Sequence, residues 1–191
     1  MARPPVSRAR LEEFLLRLGQ DFHGVGRLYL VGGTQMVQAG FRAQTVDIDY
    51  TVELDAAHQE AFQGALRRLV RAMDINVEPV SPGDFIPLPS GWEARSPFLG
   101  RHGGLDVFAF DPVSTALAKI ERGASRDIDD VLALLDAGRL TVADLIVTFE
   151  EIVPRLEQES LRVDEADFRR KVKAFLRLAA DHQPGATVES A

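Results

Sequence analysis

Residues 46–53, Val-Asp-Ile-Asp-Tyr-Thr-Val-Glu, alternate apolar and polar side chains without a break. Such alternation is the signature of a strand buried on one face. Val46, Ile48, Tyr50 and Val52 point one way, and Asp47, Asp49 and Thr51 the other, with Glu53 beyond them. A strand of this kind needs neighbours on its edges and helices behind its apolar face, so the chain must build a sheet. Upstream, Arg27-Leu28-Tyr29-Leu30-Val31 is a short β-prone run that stops at Gly32-Gly33 and gives way to the helix-compatible run Thr34–Phe41. Before it, Leu11, Phe14, Leu15 and Leu18 repeat at i, i+3, i+4, i+7 behind Ser7, which predicts a helix over 8–20 with Ser7 as its N-cap. After the alternating strand, Phe62, Leu66, Leu69, Val70 and Met73 mark a long helix ending near Asp74.

The stretch 75–110 is broken by prolines and glycines, and strands are expected near 75–80, 92–98 and 105–110. Asp111-Pro112 reads as an N-cap followed by proline at the first helical position. From there apolar faces recur at helical spacing: Val113/Ala116/Leu117/Ile120, Ile128/Val131/Leu132/Leu135, Val142/Leu145/Ile146/Phe149/Val153 and Phe168/Val172/Phe175/Leu176/Ala179. The fold class is therefore α/β (α+β) with a helical C-terminal part: an α/β core over 1–111, a helical part over 112–183 packed on it, and a flexible tail over 184–191. A length of 191 residues suits one domain, and 46% hydrophobic residues against 27% charged suit a proper core. No cysteine is present, which excludes disulfide frameworks, Cys-type zinc sites and thiol nucleophiles. The basic start has no apolar stretch behind it, and no run approaches the ~18 apolar residues of a membrane span, so an uncleaved cytoplasmic protein without membrane contact is expected. A net charge of −7 disfavours coating nucleic acid over the whole surface but permits a local basic patch. Arg67, Arg68 and Arg71 form one basic stripe, and Arg170, Lys173 and Arg177 another; each is either a solvated face or an RNA contact.

Same-face residues lie about 6.6–6.8 Å apart along a strand, so Asp47 and Asp49 can converge on one cation between them. Carboxylate oxygens suit Mg²⁺ (or Mn²⁺), which takes one or two protein carboxylates together with substrate phosphate. Gly32-Gly33, between a strand and a helix, offers backbone N–H groups to a phosphate, and Thr34 adds a hydroxyl there. Asp106 shares its strand face with Phe108 and Phe110, where a carboxylate wants a partner; a metal at Asp47 and Asp49 would supply one, making Asp106 a third acid. No paired-histidine metal spacing, G-x-S-x-G elbow or G-x-x-x-x-G-K-[ST] loop occurs.

Leu30-Val31-Gly32-Gly33-Thr34, Arg42, Thr45-Val46-Asp47-Ile48-Asp49 and Leu105-Asp106-Val107 together resemble the polymerase-beta-type nucleotidyltransferase superfamily. The closer likeness is to its minimal bacterial branch, which includes the abortive-infection nucleotidyltransferases of type IV toxin–antitoxin systems. That branch also tends to carry a lysine on a helix after the catalytic strands and an Arg-Asp-x-x-Asp helix start, places taken here by Lys119 and Arg126-Asp127-Ile128-Asp129-Asp130. The likeness covers about residues 28–136. It implies a mixed sheet flanked by helices, metal at Asp47, Asp49 and Asp106, and nucleotide phosphates on Gly32, Gly33 and Thr34. Arg42, Lys119 and Asp127 join the nucleotide site. Taken as residues alone, Lys119 either snorkels to solvent or touches phosphate, Arg42 steers phosphate or pairs with an acid, and Asp127 can simply complement a helix dipole.

The expected activity is Mg²⁺-dependent transfer of an NMP from an NTP to an acceptor hydroxyl, on an RNA or tRNA end or a protein. A toxin role with an antitoxin partner goes with the resemblance. Two rivals stand beside it: a non-catalytic nucleotide- or partner-binding protein on the same fold, and a two-metal phosphohydrolase using the same acids.

Overall fold

A computed structural model of the chain describes residues 3–159 and 163–182. The tail expected over 184–191 lies outside the described residues. After the short strand β1 (Val6–Ser7), the Ser7 hydroxyl accepts from the Arg10 N–H and starts α1 (Arg8–Asp21), which buries Leu11, Phe14, Leu15 and Leu18. The strand, glycine pair and helix appear as β2 (Gly26–Leu30) and α2 (Gly32–Gln38), the glycines being the first residues of the helix. A two-residue strand β3 (Gln44–Thr45) pairs with β1 and leads into the alternating strand β4 (Asp47–Leu54). The long helix α3 (Ala56–Met73) ends at Asp74, which takes a left-handed conformation (φ 49), and hands over to β5 (Asn76–Pro79).

The expected strand over 92–98 is not formed: Trp92–Arg95 is a short helix, α4, and the strand begins later, as β6 (Phe98–His102). Two long-range anchors override the local pattern. Arg95 is drawn onto the buried Asp111 by a pair of bonds (3.2 and 2.9 Å), and the Trp92 ring stacks on Phe110 at 4.5 Å. Strand β7 (Leu105–Ala109) completes a five-stranded mixed sheet in the order β5-β4-β2-β7-β6 among the described residues. β2 runs antiparallel to β4 and parallel to β7, and β4 runs parallel to β5.

Helices α1 and α3 cover the face of the sheet that carries Ile48 and Tyr50. The other face carries Asp47, Asp49, Tyr29, Phe108 and Phe110 by strand alternation and register. Asp111 caps α5 (Pro112–Arg122), whose residues from Pro112 to Ile120 are all buried. Around α5 pack α6 (Ser125–Asp136), α7 (Val142–Ile152), α8 (Leu156–Glu159) and α9 (Glu165–His182). Their apolar cluster includes Met36 of α2 and Ile86, which draws the helical part against the end of β2 where the glycines lie. No described helix is long and apolar enough to cross a membrane.

Candidate active site at the edge of the sheet

Beyond the end of β2 the Val31 N–H donates to the Asp49 carbonyl (3.1 Å), so Asp49 lies level with the start of α2. The side chain of Asp49 turns toward that helix, and its Oδ2 accepts from the Gly33 N–H at 3.1 Å. Such closeness requires glycine. Gly32 has φ +55, and a Cβ there would stand 2.5 Å from Asp49 Oδ2. At Gly33 a Cβ would meet Thr45 Oγ1 at 2.6 Å. Thr34 differs from its expected place: fully buried, it accepts from the Asp49 N–H (2.7 Å) and donates to the Asp47 carbonyl (3.3 Å). Its hydroxyl is spent on fixing the backbone of β4 and is not offered to a ligand, because a buried hydroxyl beside unpaired backbone groups satisfies them first.

The structure does not bring Asp106 to Asp47 and Asp49. Parallel pairing sets Asp106 opposite Arg27, whereas Phe110 donates its N–H to Leu30 near the level of Asp49. Asp106 is four residues, or about 13 Å along the strand, from that level. It is held there by Arg101 through two bonds of 2.6 and 2.9 Å, which keep its carboxyl below the usual range. The carboxylate that does join the pair is Glu78 on β5, in register with Asp49. Asp47, Asp49 and Glu78 each present an oxygen such that all three lie within 4.8 Å of one another. Burial, and then the charge of Asp47, push Asp49 up to about 6, against the pull of the Gly33 N–H.

Facing the acids across a cleft of about 480 Å³ are Arg42, Lys119, Arg122 and Arg126. Lys119 is 3% exposed and gives its Nζ to Asp127 (2.9 Å) and Asp130 (2.6 Å). Arg42 grips Asp130 with two bonds of 2.7 and 2.6 Å and reaches the Arg126 carbonyl. Arg122 reaches Asp127 at 2.6 Å and lies over the Phe85 ring. Burial opposes the charge of Asp127, but the bond and charge of Lys119 and the charge of Arg122 prevail and hold its carboxyl below the usual range. Lys119 therefore does not snorkel to solvent: it is buried and paired, and it lines the cleft. Asp127 also lines the cleft but binds the cations. The expected residues Gly32, Gly33, Arg42, Asp47, Asp49, Lys119 and Asp127 therefore share one cavity, and Thr34 sits behind it. Glu78, Arg122 and Arg126 are additions.

The family model described as "Nucleotidyltransferase of unknown function (DUF6036)" matches residues 10–170. The chain belongs to this family. No curated protein and no solved structure matches the chain. The matched span runs from α1 into α9, so it contains the acidic edge, the basic wall and most of the helical part of this nucleotidyltransferase.

Proposed function

We propose that the protein moves a nucleoside monophosphate from a nucleoside triphosphate to an acceptor hydroxyl, with Mg²⁺ or Mn²⁺ as cofactor. The observation that carries this reading is the cleft itself, with three carboxylates on one side and four cationic side chains on the other. The donor set fits a divalent cation: it is all hard oxygen, and burial first, then the charges of Asp47 and Glu78, push the Asp49 carboxyl up, a cost that a cation would relieve. Asp47, Asp49 and Glu78 would hold the ion, and when bound it supplies neutralisation of the phosphate oxygens.

The chain's own groups do the rest. The Gly33 N–H and Thr34 fix the acids from behind, while Arg42, Lys119, Arg122 and Arg126 bind the distal phosphates. The acceptor oxygen attacks the α-phosphorus in line, and its proton leaves to water. The bond from that phosphorus to the β-phosphate oxygen breaks, and pyrophosphate departs against the basic wall. Incubation with NTP labelled at the α or the γ phosphate tests this. Transfer leaves the α label on an acceptor and the γ label in pyrophosphate; γ label in orthophosphate would instead mark a phosphohydrolase, and no turnover a binding protein.

The site should also respond to pH. Protons compete with metal for Asp49, so Mn²⁺ affinity is expected to hold above pH 7 and to be about tenfold lower at pH 5, one unit below the value of about 6. Calorimetric titration across pH 5–7.5 measures this, and a flat profile would remove Asp49 from the ligand set.

A further inference from the structure

Strand β5 is an edge of the sheet, and its two faces differ in chemistry. Glu78 faces the cleft, while Val77 and Pro79 face the side covered by α3. On that rear side a groove of about 360 Å³ runs between β5 and α3. Its floor includes Leu66 and Val70, its wall Arg67 and Arg71, and Arg3 stands in it, tied to Asp74 at 3.3 Å. Arg67 and Arg71 are exposed, one helical turn apart, and make no ion pair among the described residues. Like charges at i, i+4 destabilise a helix, and here they persist in a chain of net charge −7.

The acids sit on the edge strand β5 and its neighbour β4, so the β5 edge is the sheet edge nearest to them. A cleft of about 480 Å³ is the size of a single small-ligand site, which leaves an acceptor to enter from outside. We propose that the groove behind β5 binds the phosphate backbone of a single-stranded nucleic acid whose terminal hydroxyl passes around that edge to the acids. The proposal rests on the transfer reading given above. Charge complementarity selects a polyanion, and the turn around one strand selects a flexible one, because a duplex is stiff over about 50 nm.

The test is fluorescence anisotropy of the full chain with a labelled single-stranded RNA of about 12 nucleotides, and with DNA of the same sequence, across salt concentrations. R67A/R71A is compared with K173A/R177A, which removes the same charge from the exposed face of α9. R67A/R71A should weaken binding at least about tenfold at low salt and flatten the log–log salt slope by about 1.4, two contacts at about 0.7 each. The α9 variant should bind within about twofold of wild type, and R67K/R71K should recover most of the loss. Equal RNA and DNA affinities assign the contact to phosphates alone; tighter RNA adds a 2′-hydroxyl contact, and either supports the groove. Wild-type affinity in R67A/R71A, equal loss in the α9 variant, or no oligonucleotide binding by wild type would overturn it. Calorimetry with Mg²⁺ and NTP on the same preparations separates the two failures. NTP binding that persists while the groove fails leaves the transfer reading standing, and groove binding without NTP binding removes transfer alone.

Discussion

Asp49→Asn is expected to cut nucleotidyl transfer at least about a hundredfold while raising the melting temperature of the metal-free protein at pH 7.5. Loss of activity follows from removing a carboxylate that would hold the cation against the transferred phosphate. The gain in stability follows from linkage. Folding raises the Asp49 carboxyl from 3.8 to about 6, so the folded protein binds this proton more tightly than the unfolded chain does. Above pH 6 the ionised group therefore works against folding. Stability from this group returns as pH falls through 6 and is complete below about 4. The difference corresponds to about 3 kcal/mol at most, less whatever solvent screens, and each kcal/mol is worth roughly 2–4 °C in a chain of this size. Asparagine is neutral and keeps an oxygen for the Gly33 N–H. The advantage of the variant should shrink toward zero near pH 4. A lower melting temperature at pH 7.5 would mean that the carboxylate stabilises the fold through a cation the protein itself provides.

Asp130→Ala should be strongly destabilising. Asp130 is 5% exposed and accepts from Lys119 and from two nitrogens of Arg42, so alanine leaves Arg42 without its acid and Lys119 with Asp127 alone. Removing one partner from a buried pair costs about 3–5 kcal/mol. Lys119→Met should cost less, because Asp127 keeps Arg122 and Asp130 keeps Arg42. Urea unfolding of the two variants, compared at equal m-value, measures the order. Equal destabilisation would show that packing around α5, rather than the charge network, sets the cost.

Much of this was legible from local pattern. The alternation at 46–53, the Ser7 and Asp111 caps and the helical faces after residue 112 correspond to β4, α1, α5 and the later helices. Parity along a strand was legible as well: Asp106 does share its face with Phe108 and with the acids of β4. Its height was not. A periodicity of two tells which way a side chain points, but the shift between paired strands depends on contacts far apart in sequence, such as Phe110 with Leu30 and Val31 with Asp49. Glu78 was hidden for the same reason. The alternation of Val77, Glu78 and Pro79 set its face, but only the parallel crossover through α3 sets it beside Asp49. The sequence shows that Thr34 carries a hydroxyl and Lys119 an ammonium; what their atoms touch is decided by β4 and α6.

Mn²⁺ binding followed by electron paramagnetic resonance, with and without NTP, measures the acidic edge most directly. Wild type should bind Mn²⁺ more tightly when NTP is present, Glu78→Gln should weaken that binding about tenfold or more, and Asp106→Asn should leave it unchanged. Wild-type binding in Glu78→Gln together with lost binding in Asp106→Asn would contradict a site built on β4 and β5.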